Sequence, residues 1–378
     1  MDFNLTEQQE LLKKTARDFL TNECPTSQVK ELLRDEKGYS PKLWRQMAEL
    51  GWMGLLFPEE YGGMGGTFLD LFVLLEEMGR ACVPGPFFSS VILGGFTILE
   101  AGNETQKKEL LPKIAEGDKI VTLALTEPDC SFTPSSITVK ATAKNGNYSI
   151  NGTKLFVPDA HIADDIIVVA RTKDDGAKEA GITLFLVDAK TPGITYSLLP
   201  TLAGDKQFEV SFSNVTVPKE NMLGNLDKGW SYIQNMLAKA TVAKCAEMVG
   251  GAQRVLEMAI DYAKERIQFD RPIGSFQAIQ FHCVDIATDV DASRFIAYEA
   301  AWMLDEGIPC KKEVSIAKAW IGEAYRRVTA RANQVHGGIS YTEDHDLHLY
   351  FKQAKTAELW LGDADHHREI IAQEAMDK

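Results

Sequence analysis

The sequence predicts an α+β protein of three consecutive parts, listed here in chain order: an N-terminal helical domain (1–120), a middle β-domain (121–226) and a C-terminal four-helix bundle (227–378). Apolar residues recur every three to four positions in the first and last parts, which is the period of an amphipathic helix. The middle part contains short stretches rich in β-branched and aromatic residues. They are separated by turn pairs such as Asn145-Gly146 and Asn151-Gly152, which is typical of antiparallel strands.

The helical parts carry recognisable start signals and long periodic stretches. Thr6 followed by Gln9 resembles a capping box, so an amphipathic helix is expected to begin there and to continue through Phe19. Long helices with short connections favour an antiparallel bundle in the last part. The four stretches expected to form it are roughly 230–266, 276–306, 311–335 and 346–376.

Composition excludes several classes of protein. The 378 residues are 45% hydrophobic and 25% charged, which indicates a soluble globular protein of more than one domain. A net charge of −14 opposes binding to a phosphate backbone, so no nucleic-acid partner is expected. The six cysteines show no paired spacing, and no export signal or membrane-length apolar run is present, so we expect a cytoplasmic protein without a membrane span. The histidines near 344–348 and 363–367 lack a third ligand at a known spacing, and no metal site is predicted.

Four motifs resemble signatures of the acyl-CoA dehydrogenase family, in the family's order and over nearly the whole chain. They are LTEPD (125–129), INGTKLF (150–156), ERIQFDRPIGSFQAIQ (265–280) and QVHGGISYTED (334–344). The resemblance implies an FAD-dependent enzyme that oxidises an acyl-CoA thioester to the 2-enoyl-CoA across its α and β carbons. It also implies that the electrons pass to an electron-transferring flavoprotein.

The same resemblance implies two groups of FAD-binding residues on the two sides of a subunit interface. The group that holds the flavin ring maps onto Leu125, Thr126 and Phe156. The group that holds the diphosphate and adenosine of the neighbouring subunit's FAD maps onto Arg266, Phe269, Gln277, Gln334, Gly337 and Gly338. A guanidinium suits a diphosphate, and paired glycines let the backbone approach it closely. A homodimer or homotetramer is therefore expected.

The position of the catalytic base departs from the usual family pattern. Most of the family carries a glutamate in a turn late in the chain, where this sequence has Leu361, and leucine accepts no proton. A minority carries the base on the first bundle helix, at a position that aligns with Ala240. Glu247 lies seven residues further, within about 20° of the same helix face. A glutamate in this AEMVG context resembles a third subgroup of the family, so we predict that Glu247 is the base.

Two alternatives to this assignment stay open. Asp363 is the carboxylate nearest to the lost turn glutamate and is the second candidate for the base. Glu247 could instead be held in a structural ion pair, with Lys239, Lys244 or Arg254 as its partner. For the substrate, the resemblance implies contacts from Phe132, Leu361 and Gly362, and the backbone amide of Leu361 would polarise the thioester carbonyl.

Two further departures lie on the flavin side. Ser131-Phe132-Thr133 stands where the family usually has Gly-Ser-Asp, and Pro158, which has no N–H to donate, replaces a threonine. Altered residues on the flavin side, combined with an intact group for the neighbouring subunit's FAD, are also expected of a non-catalytic or cofactor-poor subunit in a heteromer with a paralogous chain. A flavin oxidase or monooxygenase on the same scaffold is a further alternative that no feature of the sequence favours.

Overall fold

The computed structural model describes residues 3–173 and 179–376. In these ranges six α-helices come first: α1 (Glu7–Glu23), α2 (Thr26–Arg34), α3 (Pro41–Glu49), α4 (Phe68–Arg80), α5 (Phe96–Ala101) and α6 (Glu104–Ala115); a π-helix, Phe87–Gly95, directly precedes α5. Five more follow the sheet: α7 (Gly229–Glu265), α8 (Gln277–Asp305), α9 (Lys311–His336), α10 (Leu347–Leu359) and α11 (Ala364–Met376). The order of helices, sheet and helices confirms the predicted α+β class.

The strands lie between the two sets of helices, apart from one short hairpin. Eight of them form one sheet: β1 (Val121–Ala124), β2 (Lys140–Lys144), β3 (Asn147–Pro158), β4 (Asp165–Arg171), β5 (Ile182–Asp188), β6 (Ile194–Leu199), β7 (Gln207–Pro218) and β8 (Met222–Leu223). Their order is β6-β7-β3-β2-β4-β5-β8, with β1 paired in parallel to β4. The hairpin of β9 (Ile267–Gln268) and β10 (Arg271–Pro272) lies between α7 and α8.

Local sequence signals explain where these elements begin and turn. The predicted capping box is present at α1, where the Thr6 hydroxyl accepts from the Gln9 N–H at 3.2 Å and the Gln9 side chain accepts from the Thr6 N–H at 3.1 Å. Asn145-Gly146 makes the β2–β3 turn with both φ angles positive. The interpretation of Asn151-Gly152 as a turn is wrong: the pair lies inside β3, where the register shifts at a bulge and Gly152 has a φ of 137°.

Contacts between Cα atoms divide the chain into two compact units. The first unit comprises Met1–Lys30, Thr67–Val83 and Thr241–Lys378. The second unit comprises Glu31–Gly66 and Pro84–Ala240. Helices α1 and α4 thus belong to the same unit as most of the C-terminal helices, while the sheet belongs to the other unit with α3, α5 and α6, and the boundary falls within α2. The N-terminal helical segment therefore supports both units, which its sequence period does not reveal.

Helices α4 and α7 cross in the first unit with their backbones in contact. An ideal Cβ on Gly79 would lie 2.0 Å from the carbonyl oxygen of Glu247, and one on Gly250 would lie 1.8 Å from that of Glu76. Neither distance is sterically allowed, so both crossing points require glycine. The crossing fixes the segment of α7 that carries Glu247.

The last predicted helix, 346–376, is two helices, which corrects the prediction of one continuous helix over that stretch. α10 ends at Leu359 and α11 begins at Ala364. Between them Leu361 has a φ of 58° and Gly362 a φ of 96°, so the chain turns through the left-handed region. The Asp363 carboxylate then accepts a hydrogen bond from the His366 N–H at 2.9 Å and caps α11. Apolar Trp360 and Leu361 extend the helical period across this break and conceal it in the sequence.

Within the described ranges, no helix combines the length and apolar character that crossing a bilayer requires.

Replacement of Gly250 by alanine is expected to lower the free energy of unfolding by about 1–3 kcal/mol, because the added methyl group would push α4 and α7 apart. The matched control is Gly322→Ala in α9, where the new Cβ would lie 3.6 Å from Glu358 Cγ, an ordinary contact. Alanine is the better helix former, so this control should be neutral or stabilising by up to about 1 kcal/mol. Urea unfolding measures both variants. A Gly250→Ala variant as stable as the Gly322→Ala control would contradict the close contact between the backbones of α4 and α7.

Candidate active site

The LTEPD motif forms a turn after β1 that a buried ion pair holds in the second unit. Lys154 is fully buried, and its Nζ donates to the Leu125 carbonyl oxygen at 2.9 Å and to Glu127 Oε1 at 2.7 Å. Glu127 also accepts from the N–H groups of Thr138 and Val139, at 2.9 and 3.1 Å. Burial lowers the pKa of Lys154 to about 8, against the opposing charge of Glu127. Both groups are therefore ionised at neutral pH, and the pair ties the turn to β2 and β3.

Thr126 keeps its hydrogen-bond donors available. Its carbonyl oxygen accepts from the Leu155 N–H at 2.9 Å, which fixes the peptide plane beside β3. Its N–H and hydroxyl have no acceptor among residues 3–173 and 179–376. The turn thus presents donors that the protein itself does not use, as a site for the carbonyl oxygens and ring nitrogens of a flavin requires.

Phe156 presents an aromatic ring at the far end of β3. Its backbone has a φ of 52°, unusual for a bulky residue, and the register of β3 against β7 shifts between Lys154 and Val157. Its exposed fraction is 47%. Pro158 closes the strand, and its carbonyl oxygen accepts from the Thr122 hydroxyl at 2.6 Å. The backbone conformation at Phe156 leaves its ring exposed, and such a ring suits stacking on a planar ligand.

Phe132 lies half-buried in the loop between β1 and β2. Arg171 holds this loop, because its guanidinium donates to the carbonyl oxygens of Pro134 at 2.6 Å and Ile137 at 2.8 Å. No motif in the sequence points to Arg171. The Arg171 side chain thus fixes the loop through its backbone carbonyl oxygens, and this holds the altered Ser131-Phe132-Thr133 segment in place.

The predicted diphosphate and adenosine residues lie in the first unit, after α7, in the β9–β10 turn, at the start of α8 and at the end of α9. Tyr262 stacks on His336 with ring centroids 4.5 Å apart, so the ends of α7 and α9 are neighbours. The Arg266 N–H bonds to the Tyr262 carbonyl oxygen at 2.9 Å, while Gly337 follows directly after His336. All six predicted residues are exposed, namely Arg266, Phe269, Gln277, Gln334, Gly337 and Gly338.

Two details of this group point to a ligand outside the chain. An ideal Cβ on Gly338 would meet no atom within 4 Å, and its φ is not positive, so no described part of the chain requires glycine there. Phe269 occupies the β9–β10 turn with a φ of 52° and is 86% exposed. An open glycine and an exposed ring fit a bound cofactor better than packing within one subunit.

Glu247 lies on α7 in an ion pair with Lys244, one turn before it. Its side chain is 23% exposed. The Lys244 Nζ also lies 4.6 Å from the ring centroid of Trp360, which places Glu247 beside the turn after α10. Of the three partners considered, Lys244 is the observed one, since Lys239 pairs with Glu100 and Arg254 with Glu257. Glu247 Oε1 makes no hydrogen bond within the described chain, so one carboxylate oxygen stays available.

The turn around Leu361 is held from inside the bundle. Lys318, on α9 and 1% exposed, donates to the carbonyl oxygens of Glu358 at 2.9 Å and Gly362 at 2.8 Å. His367 Nε2 bonds to the Leu361 carbonyl oxygen at 3.0 Å. Burial lowers the pKa of His367 to about 3, so the ring is neutral and Nε2 is the donor. The Leu361 N–H has no acceptor in the described part of the chain.

Lys318 and His367 were not among the predicted site residues. A lysine on the apolar face of α9, in the stretch SIAKAW, is the signal that could have pointed to the first of them. Asp363, the alternative base, uses its carboxylate to cap α11. No cluster of three or more His, Cys, Asp or Glu residues suited to a metal occurs in the described ranges.

The helical, β and helical order, together with unused donors at the turn beside β3, is compatible with a flavoprotein dehydrogenase. Comparison with known families makes the class specific. Three family models, the N-terminal, middle and C-terminal domains of acyl-CoA dehydrogenase, match residues 6–118, 122–215 and 227–376. The chain belongs to the acyl-CoA dehydrogenase family, whose members are FAD-dependent oxidoreductases acting on CH–CH groups. The predictions of family, enzyme class and cofactor are confirmed.

Characterised relatives include enzymes named for both directions of the reaction. An acyl-CoA dehydrogenase of Bacillus subtilis is 33% identical, with 98% of each chain covered. An acryloyl-CoA reductase (NADH) of Anaerotignum propionicum is 32% identical, with 100% of this chain and 97% of the relative covered.

Solved structures agree over the whole length. Butyryl-CoA dehydrogenase of Megasphaera elsdenii has a TM-score of 0.92 and 31% identity, with both chains fully covered. A chain in the structure of the electron-transferring flavoprotein of Acidaminococcus fermentans has a TM-score of 0.92 and 32% identity, again with full coverage. A chain of the ChsE4–ChsE5 complex of Mycobacterium tuberculosis has a TM-score of 0.90 and 29% identity, with both chains fully covered.

The buried neutral His367 predicts a specific loss of stability in acid. Its folded-state pKa of about 3 lies below the unfolded value of about 6.5, so between these values only the unfolded chain binds the proton. The contribution is complete above pH 6.5 and is lost as the pH falls toward 3, by at most about 1.4 kcal/mol per pH unit. His367→Gln lacks this term, so its stability relative to the parent should rise as the pH falls from 6.5 to 4.

The measurement is urea unfolding of both proteins across this range. The reference is the range from pH 7.5 to 8.5, in which His367 is neutral in both states and the difference between the proteins should stay constant. A difference that stays constant down to pH 4 would contradict the buried neutral imidazole.

Proposed function

We propose that this protein catalyses the FAD-dependent α,β-dehydrogenation of an acyl-CoA thioester to the 2-enoyl-CoA, with Glu247 as the base. One observation supports the proposal above others: a carboxylate oxygen of Glu247 without a hydrogen bond lies in the same unit as the Leu361 N–H, which has no acceptor in the described chain. Lys244 links the two, because it contacts both Glu247 and Trp360. A base and a carbonyl-polarising donor are what removal of a thioester α-proton needs.

The residues of the chain divide this chemistry between them. The Leu361 amide donates to the thioester carbonyl and stabilises the negative charge that develops on it, and Glu247 takes the α-proton. Lys244 balances the Glu247 carboxylate in the resting site, and the face of Trp360 stabilises the ammonium when the carboxylate becomes protonated. Bound FAD supplies the acceptor for the β-hydrogen as hydride.

The cofactor would be held by both sets of residues described above. Leu125, Thr126 and Phe156 would hold the flavin ring, and Phe132, Leu361 and Gly362 would contact the substrate. The exposed group that begins at Arg266 would bind the FAD of a second copy, so the enzyme would be a homodimer or homotetramer. An electron-transferring flavoprotein would take the electrons, as the resemblance to the Acidaminococcus structure supports. We place the enzyme in the cytoplasm and keep the domain boundaries at 1–120, 121–226 and 227–378.

A second candidate function is that of a cofactor-poor subunit in a heteromer with a paralogous chain. Pro158 favours it, since a proline offers no N–H to a flavin where the family usually has threonine. The relation to the ChsE4–ChsE5 complex supports it as well. The exposed Arg266 group would then complete the partner's FAD site.

Substitution Glu247→Gln tests the base. It keeps the size of the side chain and removes the proton acceptor, so reduction of bound flavin by substrate should fall by at least about 10²-fold. Asp363→Asn is the matched control, because asparagine also caps a helix well and should leave both rate and fold unchanged. Stopped-flow bleaching of the flavin without oxygen gives both rates. Retained bleaching in the Glu247 variant would overturn the assignment, and loss in the control would transfer the role to Asp363.

The visible spectrum of the chain purified alone separates the two candidate functions. A self-sufficient dehydrogenase should show a flavin spectrum that an acyl-CoA from a straight, branched, cyclic and dicarboxylic panel bleaches without oxygen. A colourless protein that gains flavin when a paralogous subunit is added would instead establish the heteromer. Added FAD is the control, since it shows whether flavin was merely lost during purification.

A further inference from the structure

Lys318 is a buried charge that the proposed chemistry does not use. Within residues 3–173 and 179–376 its ammonium makes no ion pair: the Glu358 side chain pairs with Arg326 at 3.2 Å and Lys355 at 2.9 Å, and Asp363 caps α11. The two hydrogen bonds of Lys318 go to backbone carbonyl oxygens on either side of Leu361, at 2.9 and 2.8 Å. Burying an ammonium without a counter-charge is costly. Leucine or methionine could fill this position in a helical bundle without that cost, so the presence of lysine calls for an explanation.

The reason lies in the turn itself. Leu361 has a φ of 58°, a conformation that a branched side chain adopts only when its surroundings hold it there. The carbonyl oxygens of Glu358 and Gly362 accept hydrogen bonds from the buried Lys318 side chain. The Leu361 carbonyl oxygen accepts one from the buried His367 side chain. These hydrogen bonds hold peptide planes on both sides of the Trp360–Leu361 peptide, and the N–H of that peptide, which belongs to Leu361, has no acceptor in the described chain.

We propose that Lys318, assisted by His367, is a positioning residue that aims the Leu361 amide at the thioester carbonyl of the substrate. The inference rests on the proposed function and extends it, because it names the groups that make a backbone donor rigid. Lys318 does not touch the substrate in this account. Its effect reaches the reaction through the geometry of one N–H group, and donors of this kind act only when they are fixed before the reaction begins.

The test uses the FAD-bound enzyme and a β-ketoacyl-CoA such as acetoacetyl-CoA. This ligand loses a proton to form an enolate when its thioester carbonyl is polarised, and the enolate is followed by its ultraviolet absorbance without any hydride transfer. In Lys318→Met the enolate fraction at a given pH should fall at least tenfold, and flavin reduction by substrate should slow by a similar factor with KM little changed. Lys355→Met is the matched control, since Lys355 contacts the side chain of Glu358 and not its carbonyl oxygen.

Each result has a defined meaning. An enolate fraction in Lys318→Met equal to that of the parent, in a protein that is folded and holds flavin, overturns the positioning role. A lower unfolding temperature with an unchanged enolate fraction overturns it as well, because Lys318 would then be purely structural. If Lys318→Met does not fold, His367→Leu tests the same turn and should lower the enolate fraction to a smaller extent, whereas no change there rejects the proposal.

Failure of the proposed function and failure of the positioning role give different results. A parent protein that holds flavin but forms no enolate and is bleached by no acyl-CoA refutes the dehydrogenase assignment itself. A parent protein that does both, combined with an unaffected Lys318→Met, refutes the positioning role alone.

Discussion

One constraint applies to the turn at Thr126 in one unit and to the turn at Leu361 in the other: a turn with N–H groups open to a ligand must have its carbonyl oxygens satisfied by other donors. A buried backbone carbonyl without a partner is costly, and irregular turns have no helix or sheet ladder to supply one. Each unit meets the constraint with a buried lysine. Lys154 donates to the Leu125 carbonyl oxygen in one unit, and Lys318 donates to the Glu358 and Gly362 carbonyl oxygens in the other.

The energetic cost of burying each ammonium is offset in a different way. Lys154 pairs with Glu127, and that carboxylate in turn accepts hydrogen bonds from the N–H groups of Thr138 and Val139, directly before β2, so the pair also fixes the turn to the sheet. Lys318 has carbonyl oxygens as its acceptors and carries a pKa lowered by burial to about 8. Near neutral pH it therefore remains largely charged, and an ammonium makes stronger hydrogen bonds to carbonyl oxygens than a neutral donor would.

Much of the fold and part of the site could be predicted from the sequence, and the limits have physical causes. The Thr6 capping box and the Asn145-Gly146 turn are local signals, so they are legible in a few residues. The break at Leu361 depends on a lysine more than forty residues earlier, and the glycine at 79 reflects a backbone contact with Glu247. Such requirements are tertiary. The pairing of Glu247 with Lys244 was foreseeable from their spacing, but the choice among three basic neighbours depended on the tertiary partners of Lys239 and Arg254, which are Glu100 and Glu257.

The arrangement around Glu247 also bears on the direction of the reaction. A carboxylate that accepts the α-proton during oxidation is the group that returns it during reduction, because the same transition state is crossed in both directions. In the proposed mechanism, the donor at Leu361 would stabilise the same enolate-like charge in either direction. Nothing in these groups favours one direction, which agrees with the presence of both a dehydrogenase and an acryloyl-CoA reductase among relatives of near-equal identity. Direction in such a site is then set by the redox partner and the supply of substrate.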